Sequence, residues 1–364
     1  MKQRLVKAAS CGLACLILVM QPVASALAVT ITVGKGTGII WEGLPFNVTL
    51  SDPLGSEYGS AKDAVAGISS AEYCQPNDRG FLRNFGGYRA AFLSKGLGLI
   101  PRARVMATYE RYDGTMETFT GTIGLPDIKG STSEGGEVGT VPGTDWCLPA
   151  RMKDAPQFYR RGGKRSVTVS GSWLLVADGT QTSGMASFTP MNAISTIFPR
   201  TSQSILPGGI EIRVTNIMCS ISTPVAVNFG TLFRDTEVGA EMARQTKNLG
   251  VSCSQENDER INVNINLQVH GISGLYNNEP SRLALDQGGG YITGEVSDGV
   301  TGSGNCKATT GLRFDDYQVK LGDIKAWESS KSFDRQLTWR LCSGGSSLPT
   351  GEVTACAEML VTFN

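Results

Sequence analysis

The sequence predicts an all-β protein, and three features lead to this prediction. The chain has 364 residues, of which 45 are glycine and 15 are proline, and only 18% of its residues are charged. Such a composition is typical of short strands joined by tight turns rather than of long solvated helices. Residues 260–271 alternate strictly between apolar and polar side chains, which is the period of a strand. The length allows two domains, each with its own core.

The first 28 residues are predicted to be a secretory signal peptide. Three basic residues precede an apolar run at residues 13–20, and a small-residue cleavage pattern ends at Ala28. We therefore expect Val29 to be the first mature residue. An exported chain meets an oxidising compartment, so disulfide bonds are the expected state of its cysteines.

A boundary between two domains is predicted near residue 206. The sequence SQSILPGG at residues 202–209 interrupts the strand pattern with a Pro-Gly-Gly run, as expected where few contacts cross between domains. The predicted domains are residues 29–206 and 207–364.

Alternating residues and turn residues predict individual strands of the first domain. Val29, Ile31 and Val33 alternate with polar residues and are interpreted as its first strand. Asp113-Gly114 suits a two-residue hairpin turn, because both positions tolerate a positive φ. That turn would place Glu110 opposite Glu117.

The second domain is also predicted to consist of strands. Residues 210–214 would form its first strand, and residues 237–247 are its short helical candidate. In the alternating segment 260–271 the single histidine, His270, falls on the polar face, which we expect to be solvated.

Seven cysteines remain once the two in the signal peptide are removed, so one must lack a partner within the chain. The first domain offers one internal pair, Cys74 with Cys147. In the second domain Cys342 and Cys356 could close a hairpin, which would leave Cys306 unpaired, and a bridge between Cys306 and Cys342 is the alternative. No cysteine spacing suits zinc and one histidine excludes sites with two imidazoles, so no metal is expected.

The last fourteen residues, GEVTACAEMLVTFN, carry the most specific pattern in the chain. An aromatic residue is penultimate, apolar residues alternate before it, and a glycine stands fourteen positions from the end. The residues concerned are Phe363, Val361, Met359, Ala357 and Gly351. The pattern resembles the C-terminal strand of subunits assembled by the bacterial chaperone-usher pathway. An ordinary edge strand with a terminal aromatic residue is the alternative.

This resemblance implies an incomplete immunoglobulin-like pilin domain with a disulfide between its first two strands, Cys219 to Cys253. Such a sandwich lacks its last strand and leaves an open apolar groove. A periplasmic pilus chaperone would lend a strand to this groove, and at the outer-membrane usher the N-terminal extension of the next pilin subunit would replace it. Met359, Val361 and Phe363 would border the groove and Ala357 would face it, and with Gly351 these residues are the candidates for chaperone contact and assembly.

A folded domain in front of the pilin-like half leaves no free donor strand, so the architecture resembles a two-domain tip adhesin of type 1-like or P-like fimbriae. The resemblance implies a lectin-like β-sandwich as the first domain, which binds a host glycan or glycoprotein at the fimbrial tip on the cell surface. No cofactor is expected.

Two loops of the first domain have residues suited to sugar binding, namely an aromatic ring with amide, carboxylate and guanidinium groups. A bond between Cys74 and Cys147 would bring the two loops together. The candidates are Asn77, Asp78, Arg79, Asp145 and Trp146; weaker ones are Tyr73, Tyr88, Arg89, Phe158 and Tyr159. The alternative is that Trp146 packs as core and that Asn77 to Arg79 form an ordinary turn.

Two other functions compete with adhesion. One is a structural minor fimbrial subunit without glycan affinity, and the other is a secreted β-rich hydrolase. The hydrolase would depend on His270 or on two carboxylates, and no nucleophile-elbow motif accompanies them, so we expect no enzyme. Equal numbers of basic and acidic residues, 33 each, argue against a nucleic-acid partner.

Overall fold

The structure is a computed structural model that describes residues 30–76, 80–134, 136–150, 154–256 and 260–364. The predicted signal peptide and Val29 lie outside the described residues. Within them, all regular structure is β-strand apart from one 3-10 turn at Tyr276–Asn278, which confirms the all-β prediction. No helix in these ranges is long and apolar enough to cross a membrane.

The first fifteen strands form three sheets around one hydrophobic core, here called the first core, whose residues run from Ile31 to Val214. Their bounds are β1 Thr30–Val33, β2 Thr37–Leu50, β3 Ala64–Ser69, β4 Leu82–Phe85, β5 Tyr88–Ser94, β6 Leu97–Glu110, β7 Met116–Gly124, β8 Lys129–Thr132, β9 Gly136–Val138, β10 Cys147–Pro149, β11 Arg165–Asp178, β12 Gly184–Ser187, β13 Met191–Ser195, β14 Thr201–Leu206 and β15 Glu211–Val214.

The largest sheet of the first core is organised by three long strands. It has the order β2-β11-β6-β7-β8-β9, and β4 and β5 join it through β6. A second sheet, β10-β3-β13-β14, and a small third one, β1-β15-β12, complete the layers. Every residue from Trp173 to Ala177 in β11 is fully buried, as expected for the centre of a packed sandwich.

The predicted hairpin at Asp113-Gly114 joins β6 and β7, but its register differs from the predicted one. Tyr109 lies opposite Glu117, and Glu110 lies opposite Met116. The turn is longer than two residues, because the amide of Arg111 donates to the carbonyl of Thr115 at 2.8 Å. This register avoids the like-charge pair that the two-residue turn would have created.

The division between the cores lies further along the chain than the predicted boundary at residue 206. The strand predicted to open the second domain is β15, which pairs in parallel with β1 and buries Ile212 and Val214 in the first core. The second core begins at Ile217. Residues 215–216 connect the two cores. The predicted boundary is too early because β15 pairs with β1, among the described strands, and so belongs to the first core.

Strands β16 to β23 form a two-layer sandwich around the second core. Their bounds are β16 Ile217–Ser222, β17 Glu241–Gln255, β18 Val263–Gly271, β19 Leu283–Ala284, β20 Gly290–Val296, β21 Val319–Ile324, β22 Ser330–Ser343 and β23 Ala357–Phe363. One sheet has the order β16-β17-β22-β20-β19, and the other has the order β21-β18-β23. The prediction of a helix at residues 237–247 is wrong, because the chain from Glu241 onward forms β17, which pairs with most of β22.

Three disulfide bonds link the described cysteines. Cys74 bonds Cys147 and Cys219 bonds Cys253, as expected. The predicted bond between Cys342 and Cys356 is wrong, since Cys342 bonds Cys306 and Cys356 is a free, exposed thiol.

The observed pairing follows from the order of the strands. Tyr291 of β20 lies directly opposite Cys342 of β22, and the Tyr291 hydroxyl donates to the carbonyl of Cys306 at 2.6 Å. These contacts hold Cys306 against β22. Cys356 directly precedes β23, which belongs to the other sheet.

The polar face of β18 is only partly solvated, contrary to prediction, because Asn266 and Gln268 are buried while Asn264 and His270 are partly exposed. Its inward residues, such as Ile265 and Leu267, are buried in the second core as the alternation requires. Gln268 on the opposite face is only 1% exposed, and its side-chain amide donates to the carbonyl of Glu42 in β2. The first core therefore covers the part of the polar face where Gln268 lies.

Candidate functional site

The disulfide between Cys74 and Cys147 brings the two predicted ligand loops together. Pro76 forms an isolated β-bridge with Thr144, and the amide of Asp145 donates to the carbonyl of Gln75 at 3.0 Å. The two loops therefore run side by side. Asn77, Asp78 and Arg79, predicted on the first of them, lie outside the described residues.

Trp146 does not present a surface to a ligand, and this corrects its prediction as a stacking platform. Its side chain is 0% exposed. The indole packs edge-on against Phe81, with ring centroids 5.4 Å apart, and against Trp173 at 6.4 Å. Its burial fits the alternative in which it belongs to the core, because a large aromatic side chain gains more from burial than from exposure.

Asp145 lies beside a cleft, and half of its carboxylate lacks a partner. The Nη2 atom of Arg89 donates to Oδ1 at 3.0 Å, while no described residue forms a hydrogen bond with the buried Oδ2. Burial raises the pKa of Asp145, and the charge of Arg89 partly opposes this increase. A buried acceptor without a donor is costly, so this oxygen is suited to a hydroxyl or water donor.

The cleft has a volume of about 320 Å³ and is lined by residues from several segments of the first core. Those with polar or aromatic groups are Tyr88, Arg89, Asp127, Thr140, Thr144, Asp145 and Trp146. Trp146 is fully buried, so Tyr88 is the partly exposed aromatic residue among the donors and acceptors, and this is the composition that sugar sites use. Tyr88 and Arg89, the weaker sequence candidates, thus line the cleft with Asp145, whereas Tyr73, Phe158 and Tyr159 do not.

A second, wider depression of about 540 Å³ lies on the outer face of the large sheet. Its polar lining comes from alternate residues of β6, β7, β8 and β11, which include Arg104, Thr120, Ser131 and Ser170, and Met106 on this face is 64% exposed. The sequence interpretation missed this surface. Its signal was the repeated serine and threonine at every second position of two strands, β7 and β11.

Strand β23, which carries the predicted C-terminal pattern, lies at the edge of its sheet. It pairs antiparallel with β18, with Val361 opposite Leu267 and Phe363 opposite Ile265. Among the described residues no strand pairs with its other edge. Edge strands of this kind are the usual place for another chain to add a strand.

The hydrogen-bonding pattern between β18 and β23 shows which main-chain groups of β23 point away from β18. Asn264 and Asn364 exchange both of their main-chain hydrogen bonds, at 2.9 and 3.4 Å. Because such pairs alternate along an antiparallel ladder, the N–H and C=O groups of Ala357, Met359, Val361 and Phe363 point away from β18. Within the described ranges these groups meet no main-chain partner.

The side chains of the same four residues face the second core. Phe363 is buried, whereas Ala357, Met359 and Val361 are only partly covered. Ile221 of β16, and Val227 and Phe229 after it, are also partly buried apolar residues packed against the second core. The sandwich therefore presents a partly covered apolar row along the free edge of β23, and we call this row with its outward main-chain groups, from Ala357 to Phe363, the β23 groove.

The groove is closed at the end where Phe363 lies. A Cβ atom at Gly34 would come within 3.0 Å of Cε2 of Phe363 and 2.3 Å of the carbonyl oxygen of Ile217, so only glycine fits between them. Gly351, the remaining residue of the predicted assembly pattern, precedes β23 in an exposed segment with φ 104°, and a Cβ there would meet no neighbour. Its conformation requires glycine, but it does not line the groove.

His270 lacks the arrangement needed for serine hydrolysis. Its Nδ1 atom is 2.9 Å from Oδ2 of Asp316. The nearby hydroxyl of Ser172 donates to Glu42 instead, and no serine hydroxyl in the described part of the chain bonds to His270. A serine nucleophile would need that bond for activation.

Two solved structures are among those that match in the comparison with known proteins. One is the CupB6 tip adhesin from Pseudomonas aeruginosa, with 14% identity, a TM-score of 0.29, and coverage of 90% of this chain and 87% of that chain. The other is a chaperone-tip adhesin complex from work on CFA/I fimbriae biogenesis, with 9% identity, a TM-score of 0.25, and coverage of 92% and 95%. No family model matches the chain, and no curated protein matches its sequence. At these TM-scores the similarities carry no conclusion about function.

Proposed function

We propose that the protein is a two-domain fimbrial tip adhesin of the chaperone-usher pathway. Its second domain, residues 217–364, docks onto the fibre by accepting a donor strand, and its first domain, which ends at Val214, binds a host glycan or glycoprotein. A periplasmic chaperone, the usher and the next pilin subunit are its assembly partners. The protein is exported through the periplasm to the tip of the fimbria.

The β23 groove is the observation on which this proposal depends. An apolar row that is only half covered, next to a row of main-chain groups without partners, costs free energy on both counts. One added extended segment would satisfy both, because alternate side chains would enter the groove while its backbone bonds to β23.

The position of β1 supports the role as a tip rather than a shaft subunit. β1 pairs with β15 inside the first core, so it cannot be donated to a neighbouring subunit. A chain that accepts a strand and offers none in return can occupy only one end of a fibre.

Asp145 and the cleft beside it support a carbohydrate as ligand. The unpaired carboxylate oxygen accepts from a sugar hydroxyl, Arg89 donates to a second hydroxyl or an acidic sugar, and Tyr88 offers its ring to a C–H face. Affinity for one sugar would be weak, and many fibres on one cell would supply firm attachment.

The groove is tested by co-expression of the chain with its cognate chaperone. We expect a soluble complex with the chaperone and aggregation or degradation without it. Val361→Asp places a charge in the groove and should prevent complex formation. Val238→Asp is the matched control at a side chain that is 66% exposed, and it should leave the complex intact. A soluble monomer obtained without the chaperone would refute strand acceptance.

The ligand cleft is tested on a glycan array with the soluble complex. Asp145→Asn and Arg89→Ala should abolish specific binding, whereas Asp52→Asn, at an exposed carboxylate, should not. Binding lost only in Arg104→Ala would move the ligand to the depression on the outer sheet face. Failure of the wild type to bind any glycan would favour the structural minor subunit.

A further inference from the structure

Three side chains of metal-ligand type meet where the two cores touch. Glu42 comes from β2 of the first core, while His270 at the end of β18 and Asp316 belong to the second. The Nδ1 atom of His270 is 2.9 Å from Oδ2 of Asp316 and 3.9 Å from Oε1 of Glu42. All three donor atoms lie within 4.8 Å of one another.

Negative charge exceeds positive charge around this cluster. Glu42, Asp316 and Glu358 contribute three carboxylates, and the cation among them is Arg102, which binds Oε2 of Glu42 and Oε2 of Glu358, each at 2.6 Å. With a neutral imidazole at His270 the group carries a net charge of −2. Such an excess beside a fully buried carboxylate attracts a cation.

Arg102 leaves the other oxygen of Glu42 facing His270. Oε1 accepts a hydrogen bond from the Ser172 hydroxyl, and a hydroxyl can remain as an outer partner of a carboxylate that binds a metal. Oε1 therefore faces the imidazole with a hydroxyl as its hydrogen-bond donor.

Gln268 is a second, independent indication of a missing partner. Its side chain is 1% exposed, and Nε2 donates to the carbonyl of Glu42 at 2.8 Å and to Oδ1 of Asp316 at 3.3 Å. Its Oε1 atom is buried with no hydrogen-bond partner in the described part of the chain. A metal-bound water is the kind of donor that would satisfy it.

We propose that Glu42, His270 and Asp316 bind one divalent transition-metal ion, with Zn²⁺ as the ion of best fit. Three ligands about 2.1 Å from a tetrahedral ion lie roughly 3.4 Å apart, and the present separations need only small side-chain adjustments to reach this value. The metal replaces the hydrogen bond between Nδ1 and Asp316, and its two positive charges cancel the two carboxylates. One imidazole and two carboxylates are borderline ligands that suit zinc better than calcium, which takes six to eight oxygens.

The site is accessible to solvent at two of its three ligands. The side chain of His270 is 24% exposed and that of Asp316 is 23% exposed, so the cluster opens to solvent on the second-core side. Because the ligands come from both cores, the ion would hold the two domains in one relative orientation.

The test is Zn²⁺ binding to the full mature chain, purified as the chaperone complex, treated with chelator and titrated by calorimetry, with the chaperone alone as blank. All variants carry Cys356→Ser, so that the exposed thiol takes no part. We expect one Zn²⁺ per chain, and at least a tenfold loss of affinity in both His270→Gln and Asp316→Asn. Asp323→Asn, at a surface carboxylate paired with Lys325, is the matched control and should change affinity less than twofold.

A second readout is the visible spectrum of Co²⁺ bound to the chain that keeps all three proposed ligands. This measurement does not depend on whether a ligand variant folds. Ligation by nitrogen and oxygen gives visible d–d bands without a thiolate charge-transfer band. Absence of Zn²⁺ binding to the wild type, or binding that Asp316→Asn and His270→Gln leave unchanged, would overturn the proposal. In either case the glycan and chaperone tests of the adhesin proposal are unaffected.

Discussion

The side-chain amide of Gln268 donates a hydrogen bond to the main-chain carbonyl of Glu42, at 2.8 Å, across the boundary between the two cores. Gln268 is on β18, which pairs with β23, and Glu42 is on β2, which pairs with β11. The two cores are therefore joined by buried polar contacts between their sheets, in addition to the short connection at residues 215–216. These contacts have definite geometry, so the joint should have one preferred arrangement.

Arg102 is predicted to be the most important ionic contact of this joint. Its partner Glu42 has a side chain with 0% exposure, so Arg102→Met would leave a buried carboxylate without its counter-ion. Loss of one member of a buried pair costs roughly 3 kcal/mol. Denaturant unfolding followed by the fluorescence of the first-core tryptophans measures this cost.

The control for this prediction is Arg160→Met, which removes the same side chain from an ion pair with Glu110 at the surface. The side chain of Arg160 is 58% exposed, so this variant should change the free energy of unfolding little. Equal effects of the two substitutions would contradict a special role for Arg102.

Asp145 is predicted to make the stability of the first domain depend on pH. Burial raises its folded-state pKa above the ordinary value of 3.8, against the opposing charge of Arg89. The folded state then holds a proton that the unfolded state has lost, so the stability due to protonated Asp145 is fully present below pH 3.8 and disappears as pH rises through the folded-state pKa. Between pH 3.8 and the folded-state pKa, the free energy of unfolding of the wild type should fall by about 1.4 kcal/mol per pH unit relative to that of Asp145→Asn.

Carboxyl ¹³C NMR of Asp145 provides the direct measurement of this pKa. If the difference in free energy of unfolding between wild type and Asp145→Asn stays constant from pH about 3 to 6, the carboxylate is solvated in the folded chain and the prediction is wrong. Glycan binding that uses the ionised carboxylate should weaken as pH falls through the same raised pKa.

The cysteine pairing predicts which thiol reacts. A maleimide should label the folded chain once, at Cys356, because this thiol is exposed. Cys306→Ser with Cys342→Ser should lower stability by about 4 kcal/mol in the chain-entropy model, whereas Cys356→Ser should have little effect. A label found on Cys306 would instead support the bond between Cys342 and Cys356.

The sequence was informative where a pattern is local and regular. The alternation of residues 260–271 predicted β18, and the last fourteen residues predicted the apolar edge strand β23. The single pair in the first half, Cys74 and Cys147, was also predictable, because the first domain offered no other combination.

Features that depend on packing between distant segments were not predictable. Gln268 and His270 belong to a polar face, and nothing in their own strand shows that β2 covers them. Trp146 lies in a loop whose composition is expected of a ligand site, yet its side chain packs against Phe81 and Trp173. Likewise, Cys306 pairs with Cys342 because β20 lies beside β22, which is a property of the sheet order.

Amide hydrogen exchange along β23 should alternate from residue to residue. The N–H groups of Leu360 and Thr362 point to β18 and should exchange slowly, while those of Met359, Val361 and Phe363 point to the open edge and should exchange fast in a chain that is freshly refolded at high dilution, before it aggregates, without a donor strand. NMR of a chaperone complex should show the second set protected too, because the added strand bonds to this edge. Leu267 of β18 lies between two strands and is the internal control, protected in both states. Uniform protection of β23 before the chaperone binds would mean that its outer edge is already paired, and the groove would then have no strand to accept.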